Sequence, residues 1–544
     1  MYSEKDTSSS PLGLLDLATE VLLLIFLELD IPNILSCRQV CKRLNDLYGL
    51  SEIQYKCELA FSAMVDGTAT GTPVADRLRS LREYQAAWRS GPLSLHPTFS
   101  RELSEDSEGT CPQWLSFSGP FSASRAGSKV TLIQLPSSTR RIQEKSWTLD
   151  FGATLLVPQC GASNTEQNLT AFAGIEDGNP RVFRCHFFTI LPDESSPRAP
   201  ADLLPISYEV DAEWFNTALE LTIRGEAMIW TIICSPGAKV LVYNWRTQEL
   251  MQCYERPTGF MHAELLTSKL LMISVVDLLL IYAINCNDLS IPPDLDAQYI
   301  LQPPSNGGLY EMHFRLRMVH DMNGPGTPTA VNFGHDPDAA LLVFQLFNRS
   351  PAQGAKFGVL PTTYVHCVSR AALLSRLHSS GPAGVDGHNR VLRWEEWATL
   401  DNSSLLLGVS SSAQLSLSSL GARFAISFPR EDPATSVAHD IYVFDVHRCA
   451  RSDDNTREAR QHATRYFNVS SSQETPNQFI WYSNKPMPYQ IVHKTVPMRT
   501  GRKGQRENCN VKLLTDGVAF LRETWDSWDS NRPSIAVECY MLSA

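Results

Sequence analysis

The sequence lacks a surplus of positive charge, a paired-cysteine framework and a long apolar run, and each absence closes off a class of function. The formal net charge is -11, so no global basic surface draws the chain onto nucleic acid. Its thirteen cysteines are odd in number and spread thinly from Cys37 to Cys539, which favours reduced thiols over the stapled framework of a small secreted domain. The opening residues, MYSEKDTSSSPLG, carry no apolar signal core. The most apolar stretch, Leu270 to Ile284, falls short of the roughly 20 residues that span a membrane and holds Asp277 in its middle. Two buried strands joined by a turn near Asp277 are expected there instead. Neither a membrane nor a nucleic acid is an expected partner, and the expected location is cytoplasmic and/or nuclear.

Catalytic signatures are also missing. There is no His-Glu-x-x-His, no Gly-x-Ser-x-Gly elbow and no glycine-rich phosphate loop ending in Lys and Ser or Thr. Cys37 and Cys41 lie one helical turn apart, yet no further pair of ligands accompanies them, and they coincide with an apolar stripe. His335, Asp336 and Asp338 in FGHDPD read as a turn with Asp and Pro chemistry. Arg499, Arg502, Lys503 and Arg506 lack interleaved aromatics for base stacking and read as a solvated loop. No catalytic residue, metal site or cofactor is expected.

What the chain does have is 43% hydrophobic and 19% charged residues over 544 positions. That is globular composition, and too long for one core, since single cores stop growing near about 250 to 300 residues. Residues 1–13 are polar and expected to be a disordered tail. From 14 to 50 three short helices are expected. Val21 to Leu27 form an unbroken apolar run, so that helix would be apolar on every face and needs cover on all sides. Pro32 suits the first turn of a second helix. A third is expected from about Ser36, with Cys37, Val40, Cys41, Leu44 and Leu47 on one face and Gly49 as its stop.

These residues carry a resemblance. Leu17-x-x-Glu20-Val21-Leu22-x-x-Ile25-Phe26-x-x-Leu29-Asp30, then Leu35, then Val40-Cys41-Lys42-Arg43-Leu44, is similar to an F-box. Ala18 stands where that family usually has proline, and Leu44 where it often has tryptophan. The resemblance implies docking on the Skp-type adaptor of a cullin-RING (SCF-type) ubiquitin ligase through Leu17, Leu22, Ile25, Phe26, Leu29, Pro32, Leu35, Val40 and Leu44, with catalysis in other subunits. The implied role is recognition of a protein substrate. The alternative is a propeller enzyme or ligand-binding scaffold whose N-terminal helices only cap its own β domain.

Residues 51–92 read as a helical linker. Thr72 and Pro73 start its second helix, and Val74, Leu78, Leu81, Gln85 and Trp88 descend one face. From 93 to 544 helical periodicity gives way to short strand-like runs. Stepping by about 40 residues from Val240 meets Leu278, Arg315, Tyr364, Leu405 and Ile441 in turn, a spacing suited to four-stranded propeller blades. The expected fold is α+β and multidomain, a small all-α unit followed by a large all-β domain, a β-propeller of six to eight blades. The order of parts resembles fungal F-box proteins of the mushroom type.

Overall fold

Asp30 caps the second helix: its carboxylate accepts a hydrogen bond from Asn33 N at 2.9 Å, and Pro32 sits in the first turn. In this computed structural model, which describes residues 13–67, 71–90 and, from 93 to 542, the strands, helices and turns given below, that cap changes the expected helix boundaries. Helix α1 spans Thr19–Glu28, α2 Ile31–Cys37 and α3 Lys42–Tyr48. The third helix therefore starts at Lys42 rather than Ser36. The capped, proline-led α2 takes up Ser36 and Cys37, and a turn in which Val40 N bonds Cys37 O separates the two. Val40 thus leaves the apolar stripe for an exposed turn, 72% accessible. The tail at 1–12 lies outside the described residues.

Leu22, Phe26, Ile34, Leu44 and Leu47 form the core of this bundle, completed by Ile53 and Cys57 of a fourth helix, α4 (Ser51–Phe61). Each such side chain contributes about 1.5–3 kcal/mol by leaving water. The opposite face of α4 presents Tyr55 and Leu59 to a different core. That core also takes in Leu78, Leu81, Tyr84 and Trp88 of helix α5 (Val74–Ser90), together with Phe333, Leu420, Ile441, Val443 and Val511 of the β region. Residues 51–92, read from the sequence as a linker, are therefore packed into both of their neighbours.

The β region is a succession of small antiparallel sheets. Among the described residues seven have four or five strands, and they follow one another at 113–150, 155–209, 218–256, 262–301, 311–410, 416–497 and 506–542; they are called sheets 1 to 7. Consecutive sheets share cores. Phe172 of sheet 2 packs with Trp147 of sheet 1, Phe183 with Trp230 of sheet 3, and Val240 with Leu271 of sheet 4. The same pattern continues with Met272 and Phe344 of sheet 5, Val343 and Phe424 of sheet 6, and Val443 and Val511 of sheet 7. Within each sheet neighbouring strands follow chain order, as short hairpin connections dictate.

Three sheets borrow strands from elsewhere. Leu93–Leu95 pairs with Ser534–Leu542 and so joins sheet 7. Arg390–Leu392, which lies between two strands of sheet 5, adds in parallel to Tyr299–Leu301 of sheet 4. Phe479–Trp481, between two strands of sheet 6, adds to sheet 5. Each borrowed strand covers backbone that would otherwise be an open edge. The insertion carrying Arg390–Leu392 also holds α6 (Arg370–Ser379) and α7 (Trp394–Trp397), whose Leu373, Leu377 and Trp397 are buried against sheets 4 and 5.

The insertions also correct the expected repeat. Val240, Leu278, Tyr364 and Ile441 occupy the third strand of their sheets, whereas Arg315 and Leu405 lie in the first and fourth strands of the sheet that holds Tyr364. Equal stepping visits sheet 5 three times because inserted residues lengthen it. Leu270–Val275 and Leu278–Ala283 form the hairpin expected around Asp277. No helix among the described residues is long and apolar enough to cross a membrane.

A two-stranded pairing of Met64–Asp66 with Phe333–His335 ties the helices to the sheets. The Tyr55 hydroxyl lies 2.7 Å from the Asn332 carbonyl oxygen and 2.9 Å from Asp66 Oδ1, and Arg77 holds the same carboxylate at 2.6 Å. Close by, Gly421 has φ +55, and a Cβ added there would lie 2.7 Å from His335 Nδ1. Glycine is needed twice over, for the left-handed backbone and for the close approach. Gly421→Ala is expected to cost about 1–3 kcal/mol, read as a lower urea midpoint; an unchanged midpoint would show that His335 moves aside without strain.

Candidate partner-docking surface

Helix α1 buries Leu22 and Phe26, at 1% and 3% accessibility, and leaves Val21, Leu24 and Ile25 exposed at 43%, 64% and 37%. Val21, Leu24 and Ile25 are three and four residues apart and so line one stripe of the helix. Its own chain covers one face and not the other. An apolar stripe left in water is the signature of a surface awaiting a partner.

The helix is fixed at both ends by cations from later helices. Arg43 of α3 donates to the carbonyl oxygens of Leu15 and Leu17, the latter at 2.7 Å. Lys56 of α4 donates to those of Leu27 and Leu29, the latter at 2.7 Å. The last carbonyls of a helix have no partner within it, and a cation there also opposes the dipole's negative end. Arg38 stacks 4.8 Å over the Tyr48 ring.

The nine residues that the sequence assigns to docking divide by burial. Leu22, Phe26 and Leu44 belong to the bundle core; Leu17, Leu29 and Leu35 are half-buried; Ile25, Pro32 and Val40 are exposed. Sequence reading missed Leu14, Leu15, Val21 and Leu24 as exposed apolar positions. The signal was available for Val21 and Leu24, which share Ile25's helical face, while the turn at Leu14–Asp16 has no periodicity to betray it. Cys37 and Cys41 pack against the bundle core as free thiols.

Elsewhere the ionisable groups do structural work. FGHDPD is a capped turn, with Asp336 Oδ1 accepting from Asp338 N at 2.8 Å. Of the basic run, Arg499, Arg502 and Lys503 lie outside the described residues and Arg506 begins a strand. No group of three or more His, Cys, Asp or Glu residues that could hold a metal occurs among the described residues. Arg423 and Asp445 form a buried ion pair at 3.0 Å, and Arg423 Nη1 donates to the Tyr84 hydroxyl at 2.8 Å while its guanidinium lies 4.7 Å from the centre of the Trp88 ring. Burial would lower the Arg423 pKa, but Tyr84 and Asp445 outweigh it and hold it above the ordinary value.

Glu264 in sheet 4 is buried, and that burial pushes its carboxyl up to about 8, with Arg224 opposing and Glu220 adding to the shift. The folded chain keeps this proton up to about pH 8 whereas the unfolded chain releases it near 4.5. Between those values the native state binds more protons, so stability falls as pH rises. Glu264→Gln, which cannot ionise, is expected to flatten that decline and to be the more stable form at pH 8, by a few kcal/mol at most on the order of magnitude of the shift. Parallel thermal melts from pH 5 to 8 that fall equally in both proteins would overturn the assignment.

Compared with known families, residues 15–48 match the F-box-like model. No curated protein matches the chain. Among solved structures, the tricorn protease is similar over 76% of this chain and 39% of that one, at 8% identity and a TM-score of 0.25. This chain therefore spans well under half of that protein's length, and a likeness so low bears on neither fold nor chemistry.

Proposed function

We propose that this chain is the substrate-recognition subunit of an SCF-type ubiquitin ligase, its helical bundle docking on a Skp-type adaptor and its β region binding a protein substrate. The observation that carries the reading is the coincidence of two facts. The F-box-like match covers 15–48, and within it α1 leaves Val21, Leu24 and Ile25 uncovered by its own chain. An F-box implies an adaptor, and the free stripe supplies an apolar face for one. Ile25, Pro32 and Val40 would touch it directly, with Leu17, Leu29 and Leu35 at the margin and Leu22, Phe26 and Leu44 holding the surface from behind. Such a ligase works in the cytoplasm and/or the nucleus.

The β region is read as a propeller of seven blades, within the six to eight that the sequence suggests. Shared cores between consecutive sheets support this, as does the pairing of Leu93–Leu95 with the last strand, which would lock a ring whose first and last blades meet. The reading of the helices as a mere cap accounts for α4 and α5, which pack on sheets 6 and 7, but leaves the stripe on α1 without a purpose.

Reconstitution tests the proposal. Full-length chain mixed with purified adaptor, cullin and RING subunit should co-elute as one complex in size-exclusion chromatography. A chain that elutes alone at micromolar concentration would sink it.

A further inference from the structure

We infer that Arg43 is a positioning residue for adaptor binding, acting through an apolar turn that precedes α1. This rests on the adaptor-docking reading. Leu14 and Leu15 are exposed at 56% and 42% on a single turn, Leu14–Asp16, at the N-terminal end of the docking helix. A short polar-flanked segment of this kind has little reason to hold a fixed shape, since one turn fixes several dihedrals for few hydrogen bonds.

Two devices hold it. Asp16 closes the turn locally, accepting from Gly13 N at 2.9 Å while Asp16 N donates to Gly13 O at 2.9 Å. Arg43 reaches it from α3, far along the chain, and its two terminal nitrogens donate to the carbonyls of Leu15 and Leu17. A guanidinium presents its donors in a rigid fork, so one side chain fixes two successive points of backbone. The turn is thereby set against the start of α1, with Leu14 and Leu15 continuing the exposed apolar stripe of Val21, Leu24 and Ile25. The occupant is the adaptor already proposed for that stripe, because the turn is continuous in sequence with α1 and its Leu15 opens the segment that matches the family model. A turn ordered in advance loses less entropy when the partner arrives.

The test uses the full-length chain and purified adaptor. Arg43→Met should weaken binding on the order of tenfold, chiefly by slowing association, and Arg43→Lys should recover part of the loss. Amide exchange in the free protein should quicken at Asp16 and Leu17 in Arg43→Met while α1 itself is unchanged, which separates loss of the turn from loss of the fold. In a Leu14→Ala, Leu15→Ala background Arg43→Met should cost little more, because the residue acts through those leucines. Additive losses, or wild-type affinity in Arg43→Met, would overturn the inference while leaving the docking surface intact. Wild-type chain that fails to bind the adaptor would remove the functional reading itself, and this inference with it.

Discussion

Ile25→Asp abolishes adaptor binding and leaves the fold intact: that is the expected result, with affinity reduced by about a hundredfold or more. Ile25 is 37% exposed in the free chain, so an aspartate there faces water and costs within about 1 kcal/mol of stability. In the complex the same carboxylate would be enclosed among Val21, Leu24 and the partner's apolar surface, and a buried unpaired charge costs several kcal/mol. Phe26→Asp provides the contrast. At 3% exposure it puts a charge into the bundle core and should unfold the helices, so it would lose binding for an uninformative reason. The measurement is titration calorimetry beside a thermal melt. Ile25→Asp that melts normally and binds normally would show that the docking face lies elsewhere.

The second large effect belongs to Arg423. Replacing it with alanine strands the Asp445 carboxylate in the interior and removes the cation lying 5.3 Å from the Tyr84 ring and 4.7 Å from the Trp88 ring. Loss of one partner of a buried pair typically costs about 3–5 kcal/mol. The damage should be directional. Tyr84 and Trp88 belong to α5, and Arg423 to sheet 6, so the melt should drop and α5 amides should exchange faster while sheets 2 to 4 keep their protection. Arg423→Met combined with Asp445→Asn should recover much of the loss, since no uncompensated charge remains. If Arg423→Ala loses less than about 1 kcal/mol, α5 is held by its apolar contacts alone and the ion pair is incidental.

The helical start was legible because its signals are local. A capping Asp30, Pro32 one turn into α2 and the apolar run of α1 all act within a few residues, and the helix boundary that moved did so because capping at Asp30 outweighed the periodicity through Ser36. Strands such as Ala227–Ile233 and Ala238–Asn244 were equally plain from their apolar runs. The helix Arg370–Ser379 carried Leu373, Leu374 and Leu377 at helical spacing but was hidden within a stretch read as β. The joint between helices and sheets was not legible at all. Tyr84 meets Arg423 across 339 positions, and Tyr55 meets Asn332 across 277; nothing local distinguishes Arg423 from any solvated arginine. The docking face was half legible, since motif positions name residues that matter without saying which ones face out. Leu22 and Ile25 look alike in sequence, and only packing separates them.

The joint also gives substrate presentation a fixed geometry. With α4 shared between two cores and α5 clamped to sheets 6 and 7, a bound adaptor and the β region would move as one body, and substitutions at Tyr84 or Trp88 would alter ubiquitin transfer without touching either binding face.

The pairing of Leu93–Leu95 with Ser534–Leu542 has a consequence for biosynthesis. The first of these strands leaves the ribosome early and waits for a mate that is nearly the last segment translated. Until termination it must be shielded by chaperones, and a stop codon only a dozen codons early deletes that mate, so the nascent product becomes a client for quality control rather than a shortened working protein.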